Sequence, residues 1–460
     1  MLCNDPKDFR EEMLAGYEAA YPDYILQVPG GVVRADATDP AKVAVINGGG
    51  SGHYPAFCGI IGEGFMDGTV VGNIFTSPST EDVLSVARAV NGSAGLFIVG
   101  GNYAGDKMNF NLARDQLRGE GVDCRTFYIT DDVASAGQGN EDLRRGNVGT
   151  FTVFKTAGAA AAAGYSLDEV ERVTRKANAY TRTMSVGFKG CTLPGADGPM
   201  FTVPEGRMEM GQGIHGEPGV YEADLLPAKE LAHTLIDHIL ADVLEFDHYP
   251  DLSRRRIAVI LDGLGSTKYE ELFVVWGSVK KRLEDLGYTL IEPQVGELVT
   301  SLDMAGVALS VTFLDDELER FWRAPADTPA FRKGDTSRVR SRRAVEDSSA
   351  PDGSPDEPVF ASDASRAAAA YVASAFARVK DRMAAEEASL ARIDAVAGDG
   401  DHGRGMVKGS SFAAEAAAEA AAAGAGLSSV LKAAALPGPP KPAGPPASSG
   451  AKPCRRPAGC

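Results

Sequence analysis

No run of about 18 uncharged apolar residues occurs in the chain, so no segment reads as a membrane-spanning helix. The first residues, Met1 to Phe9, include Asp5 and Asp8 and lack both a basic start and an apolar stretch of the kind that exports a protein. Cysteine is scarce: Cys3, Cys58, Cys124, Cys191, Cys454 and Cys460 are scattered and form neither a CxxC pair nor a zinc spacing. Positive charge is in deficit, with a formal net charge of −17, which argues against the basic patch that nucleic acid or an anionic membrane rewards. The GxGxxG of dinucleotide folds and the Lys-Ser/Thr pair of a P-loop are also missing, so a dehydrogenase reading fails. The expectation is a soluble, cytoplasmic protein with reduced thiols.

What is present is glycine. Its 53 residues among 460 exceed the usual ~7% and cluster in short runs. With 44% apolar residues the chain can bury several cores, and its length suggests about three units. Up to about Arg332, short β-branched runs alternate with longer amphipathic ones. Lys42–Ile46, Gly95–Val99, Thr126–Ile129 and Arg256–Leu261 read as buried strands, and Thr80 to Val90 and Asp106 to Glu120 as helices. That alternation predicts α/β layers with largely parallel strands. Ser166 with Glu169 has capping-box spacing.

Residues 333–360 read as a solvated linker, basic at first (Lys333, Arg338, Arg340) and then acidic and rich in Ser, Pro and Gly. A helix follows from about Ser362, with Tyr371, Val372, Phe376, Val379, Met383 and Leu390 at helical steps. Phe412 to Ala423 is Ala-rich and reads as another helix. Residues 436–460 carry eight prolines with Gly, Ala and Ser between them, and no core is expected there.

Four segments carry chemistry. Asn47-Gly48-Gly49-Gly50-Ser51-Gly52-His53 follows the first strand, so its glycines serve either a tight turn or a close backbone approach to a ligand, with the titratable His53 at its end. In Gly101 to Phe110, Asp106 is either the N-cap of the next helix or a base facing the first segment. In Gly213-Ile214-His215-Gly216-Glu217-Pro218-Gly219, the flanking glycines leave His215 open to a ligand. His233, His238 and His248, in or after an ordinary helical pattern, read as surface or core residues. In the fourth, Asp394, Asp399 and Asp401 stand among glycines with no base between them, a hard-cation site whose natural companion is nucleotide phosphate. A small hydroxylated substrate, a nucleotide and a divalent metal together suggest phosphoryl transfer.

At these residues the chain resembles the dihydroxyacetone kinase family in its single-chain, ATP-dependent form, a substrate-binding K domain followed by an L domain. NGGGSGH (47–53), GNIFTSPS (72–79), NYAGDKMNF (102–110), GIHGEPG (213–219), SLDMAG (301–306) and GDGDHG (398–403) carry the resemblance. It implies a K domain over 1–332, made of two α/β subdomains (about 1–185 and 186–332), and a partial all-α L domain over 361–435. It further implies that His215 holds the ketose carbonyl as a covalent hemiaminal, that His53 assists, and that Asp106 acts as base toward the hydroxyl. Gly49, Ser51 and Gly52 would line the pocket. Asp394, Asp399 and Asp401 would hold Mg²⁺ ions bridging the phosphates of ATP, with His402 a contact to phosphate. A homodimer is implied as well.

Two departures qualify the resemblance. Tyr54 follows the first histidine where bacterial K subunits of the family often carry Glu, which makes erythrulose an alternative to dihydroxyacetone as substrate. Family L domains are helical units of nearly three times the length available before residue 436, so the expectation is a shortened L domain, with truncation or a reading-frame shift near Leu436 as its origin. A ketose-binding protein without its own ATP site is the corresponding alternative to a competent kinase.

Overall fold

The computed structural model describes residues 2–36, 39–90, 94–244, 255–334 and 361–435. Most of the linker, the proline-rich tail and His248 lie outside the described residues. The chain divides into two compact units, Met1–Val339 and Arg340–Cys460.

The first unit is built on two sheets. Strands β1 (Ile25–Val28), β2 (Gly31–Arg34), β3 (Ala44–Ser51), β4 (Gly68–Ile74), β5 (Leu96–Gly101) and β6 (Cys124–Ile129) form the first, in the order β1-β2-β4-β3-β5-β6. The pairs among β4, β3, β5 and β6 are parallel, whereas the β1–β2 hairpin joins β4 antiparallel. Strands β7 (Thr181–Lys189), β8 (Arg207–Met210), β9 (Tyr221–Asp224), β10 (Arg256–Gly263), β11 (Thr289–Leu290), β12 (Gln294–Gly296) and β13 (Ala305–Phe313) form the second. Here only β11 and β12 run parallel to β10; β10, β13, β7, β8 and β9 pair antiparallel. The expectation of largely parallel strands therefore holds for half of the unit. Hydrophobic periodicity reports that a strand is buried, not which way it runs, and β13 returns between β10 and β7 against both.

Helices α1 (Phe9–Ala20), α2 (Thr80–Val90), α3 (Ala104–Gly119), α4 (Thr150–Ala162) and α5 (Leu167–Ala179) cover the first sheet. Alternate strand residues divide its two faces. Ile46 and Ile98 meet α2 and α3 through Val83, Val86 and Phe110, while Val45, Phe97 and Val99 meet α4 and α5 through Phe154 and Val170. α5 starts on the expected capping box, Ser166 with Glu169. Helices α6 (Ala228–Leu244) and α7 (Tyr269–Asp285) cover one face of the second sheet through Leu235, Ile239, Leu272 and Val279. The opposite face, with Ala258, Ile260 and Ala308, shares the core of the first sheet, so the two halves are not independent. α8 (Asp316–Arg323) and the short pair β14 (Ala326–Asp327) and β15 (Arg332–Lys333) close the unit. Lys333, expected in the solvated linker, is instead buried. Its ammonium bonds the Trp322 carbonyl at 2.6 Å and pairs with Glu292 at 2.9 Å.

The second unit contributes α9 (Asp363–Asp394), α10 (His402–Ala422) and α11 (Leu427–Ala435), with Ser362 capping α9 by accepting from the Ser365 N–H. Its small core gathers Ala369, Val372, Phe376, Ala417 and Val430. Of the apolar stripe expected on α9, Tyr371 and Val379 are exposed, because α10 and α11 cover only part of it. α10 starts ten residues before the Ala-rich run, at the carboxylate segment. It does so by bringing Gly403 against α9, where a Cβ would meet the Glu387 carbonyl oxygen at 2.1 Å.

Phe110 is fully buried between glycines of β3 and β5: a Cβ would stand 3.2 Å from its ring at Gly48 and 2.8 Å at Gly100. F110A should cost about 3–5 kcal/mol, the range for truncating a buried aromatic that its surroundings cannot collapse onto. A denaturant titration followed by tryptophan emission reads it, since Trp276 and Trp322 both belong to the first unit. A loss below about 1 kcal/mol would mean that the two strands close over the gap.

Candidate active site

The glycine run is not a turn. Gly48, Gly49 and Gly50 are the second half of strand β3, paired with β4 up to Ser51. Each is small for a steric reason. A Cβ at Gly49 would stand 2.6 Å from the Phe57 ring, and one at Gly50 would stand 2.6 Å from the Thr76 backbone nitrogen. Bare strand lets both segments close on the sheet edge. Gly52 then takes φ of 105°, open to glycine and strained for other residues, and turns the chain so that His53 points back inward.

His53 is 1% exposed and held on every side. Its Nδ1 lies 2.7 Å from the Thr300 carbonyl, and its ring stacks on Phe75 with centroids 5.0 Å apart. The segment carrying Thr300 is stitched to the His53 segment by N–H donations from Thr300 to the His53 carbonyl at 3.2 Å and from Leu302 to the Gly52 carbonyl at 2.9 Å. Asp262, buried at the end of β10, accepts from the Leu298 N–H at 2.6 Å and fixes the start of that segment. Burial, and then the charge of His215, bring the His53 pKa down to about 3.

His215 sits in the connection between β8 and β9, residues 211–220. One carboxylate grips it twice. Glu217 accepts from the His215 backbone N–H at 2.9 Å and from Nδ1 at 3.0 Å. Burial would raise the Glu217 pKa, but the His215 bond and the charges of His215 and Arg145 hold it down, at about 2. Rings crowd the imidazole edge-on: Tyr103 at 4.6 Å, His53 at 4.7 Å and Phe75 at 5.3 Å between centroids. The two histidines meet Nε2 to Nε2 at 3.0 Å. A carbonyl can only accept, so the His53 Nδ1 carries hydrogen; Glu217, ionised, makes the same true of His215. Two bare lone pairs would repel at this distance, so the contact calls for a proton between the Nε2 atoms.

Asp106 is the third residue of α3 and does not cap it; Tyr103 occupies the cap position without a side-chain bond. The N-cap reading is thereby corrected. From within the first turn the carboxylate points into the same cavity as His215, 5% exposed, and its Oδ1 has no hydrogen-bond partner. Burial raises its pKa to about 6, against the opposing pull of Ser77 and His215. The cavity floor and walls are backbone at Gly49, Gly50, Gly101 and Gly146, with Phe57, Tyr103, Thr150 and Ile214 as side chains. Of the expected lining residues Gly49 is there, while Ser51 and Gly52 are absent from the walls and act behind them. The Tyr54 ring does not face the cavity either. It is 41% exposed and packs edge-on against Tyr17 at 5.8 Å, so it cannot set the length of a substrate in this cavity.

In the second unit, Asp394 at the end of α9, Asp399 and Asp401 bring one carboxylate oxygen each to within 4.8 Å of one another. The Gly400 and His402 N–H groups donate to Asp394 Oδ2 at 2.9 and 3.4 Å, orienting that side chain. Three oxygens without a counter-cation fit a hard divalent ion. His402, the first residue of α10, is adjacent to the cluster.

Sequence reasoning missed Glu217, Thr300, Tyr103 and Gly146. Glu217 alone had a local signal, two residues from His215 in one glycine-bounded loop. Thr300 lies 247 positions from His53 and has no signal in a single sequence.

Residues 15–330 match the Dak1 domain. The chain is 59% identical to D-erythrulose kinase of Mycolicibacterium smegmatis over 435 residues, covering 94% of this chain and 74% of that protein. It is 47% identical to L-erythrulose kinase of Pectobacterium atrosepticum, covering 94% and 72%. Among solved structures, the dihydroxyacetone kinase from C. freundii in complex with AMP-PNP and Mg²⁺ superposes with a TM-score of 0.67 at 29% identity, over 91% of this chain and 75% of that one. Domain match, identity and fold agree, and the chain belongs to the dihydroxyacetone kinase family.

Proposed function

We propose that the chain phosphorylates erythrulose, with ATP as phosphoryl donor and the ketose held covalently on His215. The Nε2–Nε2 contact of His53 and His215, with Glu217 behind, is the observation that carries the mechanism, read here with one proton shared between the rings. The substrate follows the names of the relatives, erythrulose kinases at 59% and 47% identity, in preference to the dihydroxyacetone first expected. Homodimer pairing belongs to the same reading.

Attack by His215 Nε2 on the ketone carbon forms the C–N bond and opens the carbonyl. The oxygen takes the proton that the two Nε2 atoms shared, which leaves His53 neutral, the form its burial favours. The positive charge passes to the substituted His215 ring, where the ionised Glu217 faces Nδ1 at 3.0 Å. Asp106, with one unpartnered oxygen in the same cavity, is the base for the hydroxyl to be phosphorylated. The anchor supplies the positional advantage of an intramolecular reaction. Asp394, Asp399 and Asp401 would hold Mg²⁺, which neutralises phosphate charge during transfer, and His402 would touch that phosphate.

Intact-mass measurement of the full chain with erythrulose should reveal a one-to-one adduct that H215A abolishes, alongside ATP consumption that requires Mg²⁺. Turnover that survives in H215A would overturn the covalent anchor; adduct without turnover would reduce the activity to ketose binding. E217Q should weaken the adduct about ten- to hundredfold, the worth of a hydrogen bond to a charged group. An unchanged half-saturation would remove Glu217 from the account.

Asp106 also gives a pH signature. Its folded pKa of about 6 exceeds the unperturbed 3.8, so keeping this carboxylate ionised costs stability above pH 6, and the cost disappears as pH falls toward 3.8. D106N should therefore be inactive yet more stable than the parent chain at neutral pH, by up to about 3 kcal/mol, with the gain shrinking through the acidic range. Denaturant titrations across pH check the sign. A gain that is constant with pH would disconnect it from ionisation.

A further inference from the structure

We infer that the Thr150 hydroxyl binds the arm of the ketose that is not phosphorylated, and so selects substrates hydroxylated on both sides of the carbonyl. The inference rests on the reading above and adds a residue to it.

Thr150 opens α4, lines the cavity and is 4% exposed. Its hydroxyl makes no hydrogen bond among the described residues. Two other helical threonines of this unit spend theirs on the carbonyl four positions back: Thr156 on Thr152 at 2.9 Å and Thr174 on Val170 at 2.7 Å. For Thr150 that carbonyl belongs to Gly146, which already accepts from the Tyr103 hydroxyl at 2.8 Å. The Thr150 methyl carbon lies on the Gly146 side, 3.1 Å from where a Cβ on that glycine would stand. The hydroxyl is therefore left facing the open space of the cavity, where a valine would fill the same volume and present only a methyl. Its use must come from what enters the cavity.

The topology says which part of the substrate that is. Asp106 arrives from α3, which packs on one face of the first sheet through Phe110 and Leu117. Thr150 arrives from α4, which packs on the other face through Phe151 and Phe154. Between them runs the bare strand edge at Gly49, Gly50 and Gly101, with His215 above it. A ketone joined to His215 at its carbonyl carbon has two arms. With one hydroxyl at Asp106, the other arm extends toward α4, where Thr150 can both donate to and accept from a hydroxyl.

The test compares erythrulose with hydroxyacetone, whose carbonyl carries a hydroxylated arm on one side only. Half-saturation of the adduct is read by intact mass on the full chain for the parent, T150V and T150S. T150V should weaken the erythrulose adduct about tenfold and the hydroxyacetone adduct by less than about twofold, erasing the preference between them. T150S, which keeps the hydroxyl, should restore it. Equal losses for both ketones would assign Thr150 to packing and overturn the inference, as would an erythrulose adduct unaffected in T150V. Failure of the parent to form an adduct with either ketone would sink the covalent reading and this inference with it.

Discussion

The contact between His53 and His215 is the point on which the first unit depends. His53 follows a strand of the first sheet, and His215 sits in a loop of the second, yet their Nε2 atoms lie 3.0 Å apart. That distance is tolerable only with a proton between the rings, and each outer nitrogen must then find an acceptor. Thr300 supplies one and Glu217 the other. The second sheet thus presents both His215 and the carbonyl that orients its partner, through the segment that Asp262 pins at Leu298. A cavity made by either sheet alone would lack half of the chemistry, which gives a physical reason for the core the two sheets share.

Glycine made much of the site legible. The runs around His53 and His215 mark places where backbone must approach backbone or a ligand, and the two histidines they carry are those that meet, His215 on the cavity wall and His53 buried beside it. The run at 48–50 is only half legible, since strand and turn both accept glycine and a single sequence does not distinguish them. Asp106 was ambiguous in the same way: an aspartate near a helix start caps it or faces inward, and only the start of α3 at Ala104 decides. The fold was legible to the level of layers, because burial shapes composition. Strand direction in the second sheet, and acceptors such as Thr300, depend on contacts between distant segments, and residue types carry no trace of them.

The two units solve opposite electrostatic problems. In the first, charge is made scarce: burial depresses the His53 pKa and raises that of Asp106, so both groups lean toward neutrality in the cavity. In the second, Asp399 and Asp401 are exposed and Asp394 only half-buried, so water screens the repulsion among three carboxylates. A dry site suits a neutral ketose and a shared proton; a wet one suits an ion that must arrive hydrated and exchange.

Two polar groups without a protein partner stand where this economy is tightest. Asp106, whose buried Oδ1 has no partner, and Thr150, whose hydroxyl makes no hydrogen bond among the described residues, line one cavity from opposite flanks of the sheet edge. Satisfying them internally would need only a neighbouring donor, such as a serine at one of the wall glycines. At Gly101 that route is closed by the Tyr103 ring, 2.8 Å from any added Cβ, and at Gly146 by Thr150 itself and the Gly101 backbone. The same bare backbone that admits a substrate therefore prevents the protein from pairing its own polar groups. The unmet hydrogen bonds are held open for a ligand by steric exclusion within the fold.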